Sequence, residues 1–293
     1  MHYKNKIQNL QKLYDKTPES VVYFLSGSLP ASALLHIKQL TLFSMIARLP
    51  GNVLHHIAKY ILTVSRDSSK SWFVHIRSLT QQYHLPHPLT LLERPLSKLA
   101  FKKLVKSKVC DFWERKLRRT ALPLTSLRYF HPEFMSLVKT HPLWTTCANN
   151  SFEVSKAIIQ AKFLSGRYRT DSLLHHFGLT DTLKCALCQN KITSSLEHLL
   201  TQCSSLTECY TTQMNVLHKY SDPTRKIIIN AKNKSNTAFV QVLLDPSVIP
   251  EAITENQVNG NEIFRQLFKF ARTWCFNVHM RRMKLLGRWR NNL

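Results

Sequence analysis

Residues Leu183–Leu206 read LKCALCQNKITSSLEHLLTQCSSL, and within them Cys185, Cys188, His198 and Cys203 follow the spacing C-x2-C-x9-H-x4-C. Two thiols two residues apart converge from one tight turn, and Cys and His are the donors that tetrahedral zinc takes. Ser194-Ser-Leu-Glu197 reads as a capping box, so a helix should begin just before His198. Cys203 lies five residues beyond His198, which is about 140° around an ideal helix. An unbroken helix would point these two ligands apart, so it must end or tighten before Cys203. Four protein ligands close the coordination shell, which suits a structural metal rather than a catalytic one. Three thiolates around a zinc ion leave one net negative charge, which Lys184 and Lys191 flank. Cys209 is an alternative ligand, and His175 and His176 are more distant ones. The bland reading is a cluster of buried thiols around a core histidine.

Outward from this stretch, the chain reads as helix. Glycine is scarce, at 6 of 293 residues, and windows rich in Leu, Lys, Ile and Ala favour helix over strand. A basic helical lead-in is expected over residues 1–20. A helix follows from Pro30 to Leu49, with Leu34, Ile37, Leu42, Met45 and Ile46 at its apolar positions and Pro50-Gly51 as its stop. Further helices are expected over Val53–Val64 and Trp72–Tyr83. Residues 84–88 should be extended, because proline restricts the residue before it. Ser97 caps a long helix to about Arg119, whose apolar side is Leu99, Leu104, Val105, Val109, Phe112, Trp113 and Leu117.

Pro123, Pro132 and Pro142 mark residues 120–150 as a linker or an irregular packed loop. Ser151 caps the next helix, and Asp171 starts a short one that Gly178 ends. Residues 222–260 are polar and weakly periodic, with Ile227–Ile229 and Phe239–Leu244 as short strands or helix pieces. Asn259-Gly260 marks a turn, and Asn261 caps a final helix to about Trp289. The fold class is therefore mostly α. The expected domains are a basic helical one over 1–145, a helix plus zinc knuckle over 146–210, an irregular linker over 211–260 and a basic C-terminal helix over 261–293.

The formal net charge is +24. Such an excess opposes folding by self-repulsion unless a polyanion neutralises it, and its clustering along helices points to RNA or DNA. Between Arg94 and Arg119 there are ten Lys or Arg and two acids. Lys102, Lys103, Lys106, Lys108, Arg115, Lys116, Arg118 and Arg119 are the candidate phosphate contacts there, with Phe112 and Trp113 read as core. Arg167 and Arg169 flank Tyr168, a base-stacking candidate. The last helix carries Arg265, Lys269, Arg272, Arg281, Arg282, Lys284, Arg288 and Arg290, interleaved with Trp274, Phe276 and Trp289. Arg281 and Arg282 complete the candidate set. The N-terminus is polar, and no stretch is long and apolar enough to span a bilayer. An odd count of 7 cysteines without a secretory signal reads as thiols and metal ligands rather than disulfides, and Cys110, Cys147 and Cys275 read as small core residues. No two acids are adjacent, so the clustered carboxylates of two-metal nucleotidyl transfer are lacking. A P-loop and a nucleophile elbow are lacking too, and an enzyme is not expected.

Leu164–Leu179 (LSGRYRTDSLLHHFGL), Cys185-Ala-Leu-Cys188 and Leu196–Cys203 together resemble the C-terminal, post-polymerase region of non-LTR, LINE-type, jockey-like retrotransposon polyproteins. Leu29–Gly51 and Leu96–Arg118 resemble the thumb-like helical stretch after the polymerase palm in that family. Arg272–Trp289 resembles its basic end. The resemblance implies a zinc-containing fragment that positions template RNA or target DNA within a retroelement ribonucleoprotein, in the nucleus or cytoplasm. It implies no membrane and no small-molecule substrate. The Tyr-x-Asp-Asp polymerase motif of the family is not in this sequence, so the chain resembles a 5′-truncated copy or a reading frame that begins inside the element. The competing readings are a zinc-stabilised protein-interaction module and a nonfunctional truncated product.

Overall fold

The computed structural model describes residues 17–147, 150–188, 192–258 and 261–287. The protein is mostly α, as the sequence leads one to expect. Its helices are α1 (Glu19–Ser26), α2 (Ala31–Ala47), α3 (Val53–Val64), α4 (Trp72–Gln82), α5 (Pro88–Glu93), α6 (Lys98–Ala121), α7 (Pro142–Thr145), α8 (Ser151–Leu164), α9 (Asp171–His176), α10 (Thr207–Asn215), α11 (Asp222–Lys234), α12 (Asn236–Leu244), α13 (Pro250–Val258) and α14 (Glu262–Leu285). Among the described residues, the only β pairing is an isolated antiparallel bridge between Lys184 and Thr193. The lead-in over residues 1–16, Lys191, the Asn259-Gly260 turn, and Arg288, Trp289 and Arg290 lie outside the described residues.

Two packed units make up the chain. The helical unit spans Gly27–Thr120 with Ser136–Lys139, and the other described residues form the second. In the helical unit, side-chain caps start the helices. Asn52 Oδ1 accepts from the Leu54 amide, Ser71 Oγ from Phe73 and Ser97 Oγ from Ala100, each satisfying an amide that has no partner inside the helix. The segment read as extended leads into α5, where Pro88 occupies the first turn and His87 caps it, a place in which proline loses nothing. Helix α6 buries Phe101, Val105, Val109, Trp113 and Leu117, one residue in four. Trp113 Nε1 donates to the Tyr83 hydroxyl at 3.2 Å, and His36 Nδ1 lies 2.6 Å from the same oxygen, so Tyr83 ties α2, α4 and α6 together. Several assigned core positions are not core: Leu34, Leu42, Met45 and Leu99 are exposed.

In the second unit, α14 is the hub. It packs on α7, α8, α10, α11, α12 and α13, with Ile263, Leu267, Ala271, Trp274 and Val278 buried along it. Residues 121–135 and 140–147 belong to this unit as an irregular packed loop, one of the two expectations, rather than a linker: Leu127, Tyr129, Phe130 and Leu143 are buried in or beside short 3-10 and α turns. Residues 222–258 form three helices, not an irregular segment. They are short, so tertiary packing rather than periodicity stabilises them. Gln160 Nε2, buried on α8, donates to the Leu243 and Leu244 carbonyls at 3.1 and 3.0 Å, which terminates α12. Asn261 does not cap α14; its φ is +68° and its side chain makes no cap. Asn256 Oδ1 accepts from the Phe264 amide at 3.1 Å instead. Gly166 follows α8 at φ +64°, where an added Cβ would meet Ser126 O at 2.3 Å, so only glycine fits.

Arg272 is buried. Its Nε donates to Glu153 Oε2 at 3.3 Å and its Nη1 to Thr146 Oγ1 at 2.7 Å, so it is a core ion pair rather than part of a basic outer face. Burial pushes the Glu153 carboxyl up, but Lys156 and Arg272 outweigh it and hold the group below its ordinary 4.5. A carboxylate with a depressed folded pKa stabilises fully above the unfolded value and loses that contribution as pH falls through the folded one. Glu153→Gln is therefore expected to flatten the acid limb of a urea-midpoint profile below pH 4.5. An unchanged limb would mean that the pair does not exist in solution.

Candidate metal centre and basic surfaces

The knuckle begins as a short hairpin. The Cys185 amide donates to Ile192 O at 2.9 Å and the Ser194 amide to Leu183 O at 2.8 Å. Ser195 Oγ then accepts from the His198 amide, starting the helical turn one residue later than the first serine of the Ser194-Ser195 pair. Glu197 turns away from the knuckle toward Tyr129 and Arg128. From His198 to Gln202 the backbone is a π turn. The Cys203 amide donates to His198 O at 2.8 Å, an i→i+5 bond, and Cys203 itself is extended. The expectation was that the helix ends or tightens. It ends, but by widening, and the extra residue in the turn sets Cys203 beside His198 instead of about 140° away.

The result is a buried group of four. Cys185 Sγ, Cys188 Sγ, Cys203 Sγ and a His198 ring nitrogen all lie within 4.8 Å of one another. Cys185 and Cys203 are 3.9 Å apart, and Cys188 Sγ is 3.3 Å from His198 Nε2. Such a group can hold one metal ion. Cys209, His175 and His176 are not members of it. Burial and the adjacent Cys185 thiol push the Cys203 thiol up to about 12, and burial lowers His198 against the charge of Asp171. A bound cation would reverse the first shift by favouring the thiolate and would deepen the second by keeping the imidazole neutral, the forms in which both are ligands. Among the described residues, His198 Nδ1 is buried with no hydrogen-bond partner.

A second ring of side chains, not evident from ligand spacing, fastens this group to the hub. The π turn shifts the ladder and frees carbonyls. Leu199 O accepts from the Tyr210 hydroxyl at 2.7 Å and Leu200 O from Trp274 Nε1 at 2.9 Å. Ser205 Oγ donates to Leu187 O at 2.6 Å. Asp171 Oδ2 accepts from the Ala186 amide at 3.1 Å, between the first two thiols, while its Oδ1 takes Arg282 Nη2 at 3.4 Å. The sequence held a signal for Arg282. It continues the stripe Leu267, Ala271, Trp274, Val278 at a spacing of four, where an apolar residue belongs.

The candidate phosphate contacts divide by environment. Lys102, Lys103, Lys106, Lys108, Arg115, Lys116 and Arg119 are exposed on α6. Lys116 also lies 4.4 Å from the Trp113 ring centroid, and Arg115 Nε donates to Asp111 O. Arg118 pairs with Glu114 at 3.2 Å. Arg169 is exposed and Arg167 half-buried. Tyr168 is buried, stacked on Phe163 with centroids 3.7 Å apart, and its hydroxyl meets His279 Nδ1 at 3.0 Å, so it offers no face to a base. Arg281 pairs with Glu208 at 3.0 Å. Arg282 is buried, with Nη1 on Arg169 O at 2.6 Å, and is an internal strut. Comparison of the chain with protein-family models, curated proteins and solved structures finds no match.

Proposed function

We propose that the chain is a zinc-containing nucleic-acid-binding module of a retroelement reverse transcriptase, holding template RNA or target DNA through phosphate contacts while the chemistry takes place elsewhere. The observation that carries the binding half is the surface of α6. Lys102, Lys103, Lys106, Lys108, Lys116 and Arg119 are exposed there, and none belongs to an ion pair among the described residues. With a net charge of +24, these groups favour a polyanion over an acidic patch of ordinary size. The zinc half rests on the donor set. Three thiols and one imidazole, closed and buried, suit a structural zinc whose role is to fix the turn, with no position open for a substrate. The retroelement half rests on the motif resemblance of Leu164–Cys203 and its flanks.

Salt titration tests the binding. If the six α6 cations each neutralise one phosphate, log K against log salt should fall with a slope of about −5 on duplex DNA, and less steeply on a single strand. Lys102→Gln with Lys106→Gln should lower affinity on every sequence alike and reduce the slope by about 2. Binding that ignores salt would end this reading and leave zinc as the stabiliser of a protein-binding surface.

A further inference from the structure

Helix α3 packs by its less apolar side. His55, Ala58 and Leu62 face the unit's interior. Val53, Ile57, Tyr60 and Val64 face solvent, Val53 at 70% and Tyr60 at 68% exposure. Helix α2 is apolar on both sides: it buries Ala33, Leu40, Phe43 and Ala47 and exposes Leu34, Leu35, Leu42 and Met45. Single exposed apolar residues are ordinary, but a run of them on two packed helices is the mark of an interaction surface.

The spacing says what shape covers it. Leu35, Lys38, Leu42 and Met45 are separated by three, four and three residues, and Val53, Ile57, Tyr60 and Val64 by four, three and four. This alternation is the seam of helix-on-helix packing, with each side chain a knob for a facing helix. Each seam runs about 15 Å, some three turns. The charge says what flanks the partner's seam. No acid lies between Glu19 and Asp67, whereas Lys38 sits inside the α2 seam and Lys59 beside the α3 seam. A second copy of the chain would oppose lysine to lysine, which costs affinity. A lipid surface would have to take Lys38 in the middle of the apolar stripe.

We propose that α2 and α3 form a docking surface for an amphipathic helix of a partner protein, with a leucine-type apolar seam and carboxylates flanking it, one of which meets Lys38. The site is separate from α6 and does not depend on nucleic-acid binding.

The probe is a fluorescein-labelled three-heptad peptide with Leu at the seam positions and Glu on both flanks, titrated with the full chain. Saturable binding is expected. Leu42→Ser with Ile57→Ser leaves the net charge unchanged and truncates side chains that the core does not bury, so helicity by circular dichroism should persist while affinity falls about tenfold or more. Lys38→Glu should weaken the Glu-flanked peptide and strengthen a Lys-flanked one. Equal binding of a scrambled peptide, or of the double serine variant, would reduce the effect to bulk charge attraction and overturn the proposal. Two other results would also overturn it in the absence of peptide binding. One is a dimer in sedimentation velocity that the serine variant abolishes. The other is retention on phosphatidylserine vesicles that the same variant abolishes.

Discussion

The wild-type chain is expected to carry one zinc ion per molecule at the four-residue group, and Cys188→Ser to lose it, together with the folded turn around it. The thiol is buried 3.3 Å from His198 Nε2, and among the described residues the group has no further cysteine or histidine to take its place. Cys209, the nearest remaining cysteine in sequence, lies outside the four-membered group. Binding of zinc to such a set contributes on the order of 10 kcal/mol, because the site forms only as the chain folds. The effect should therefore exceed that of any other single substitution in the second unit. Metal analysis by mass spectrometry, paired with urea unfolding, reads it directly. Cys209→Ser is the matched control and should keep its zinc. Equal zinc in wild type and Cys188→Ser would sink the four-ligand assignment. A loss shared by Cys209→Ser would move the site.

The second large effect is expected at Trp274. This ring is buried on α14 and stacks parallel to Tyr210 with centroids 5.6 Å apart. It meets Phe239 edge-on at 5.1 Å and donates to Leu200 O in the π turn. Trp274→Ala removes that volume from the middle of the core and should cost about 3–5 kcal/mol. Trp274→Phe keeps most of the volume but strands a buried carbonyl, which costs about 1–3 kcal/mol. The consequence specific to this architecture is a coupling to the metal. With its turn no longer tied to the hub, the knuckle should release zinc to a chromogenic chelator faster in both variants, in the same order as their stability losses. A stability loss with an unchanged release rate would show that the knuckle holds its shape without α14.

Some of this protein was readable one residue at a time. The bounds expected for Val53–Val64 match the helix to the residue, and in the structure Asn52 caps its first turn. Ser97, expected as the cap of α6, caps it. Of the three helices between residues 222 and 258 only pieces were legible: Ile227–Ile229 and Phe239–Leu244 could be strand or helix, and both lie in helices whose bounds the weak periodicity did not give. The proline-rich stretch 120–150 left two expectations open, a linker or an irregular packed loop, and the structure has the packed loop. Proline breaks the pattern of regular elements, yet Tyr129, Phe130 and Leu143 still bury their side chains.

The apolar pattern misled in a more informative way. It marks which side of a helix avoids water, not what covers that side, and Leu34, Leu42 and Met45 remain exposed. Charge misled in the opposite sense. Arg272 and Arg282 look like surface cations, but Glu153 and Asp171, distant in sequence, draw them inside.

Cys185, Cys188, His198 and Cys203 were legible because donor chemistry and short spacing are local properties, and so was the need for an irregular turn before Cys203. The form of that turn was not. A π turn leaves carbonyls unpaired, and it persists only where something else satisfies them. Tyr210 and Trp274 do so, and Trp274 lies 74 residues from its partner in the chain. The sequence by itself therefore determined a helical chain with a group of donors that can hold a metal ion and an excess of basic residues. Only the tertiary structure decided which arginines remain on the surface and how the ligands converge, because both depend on partners that the chain brings together from afar.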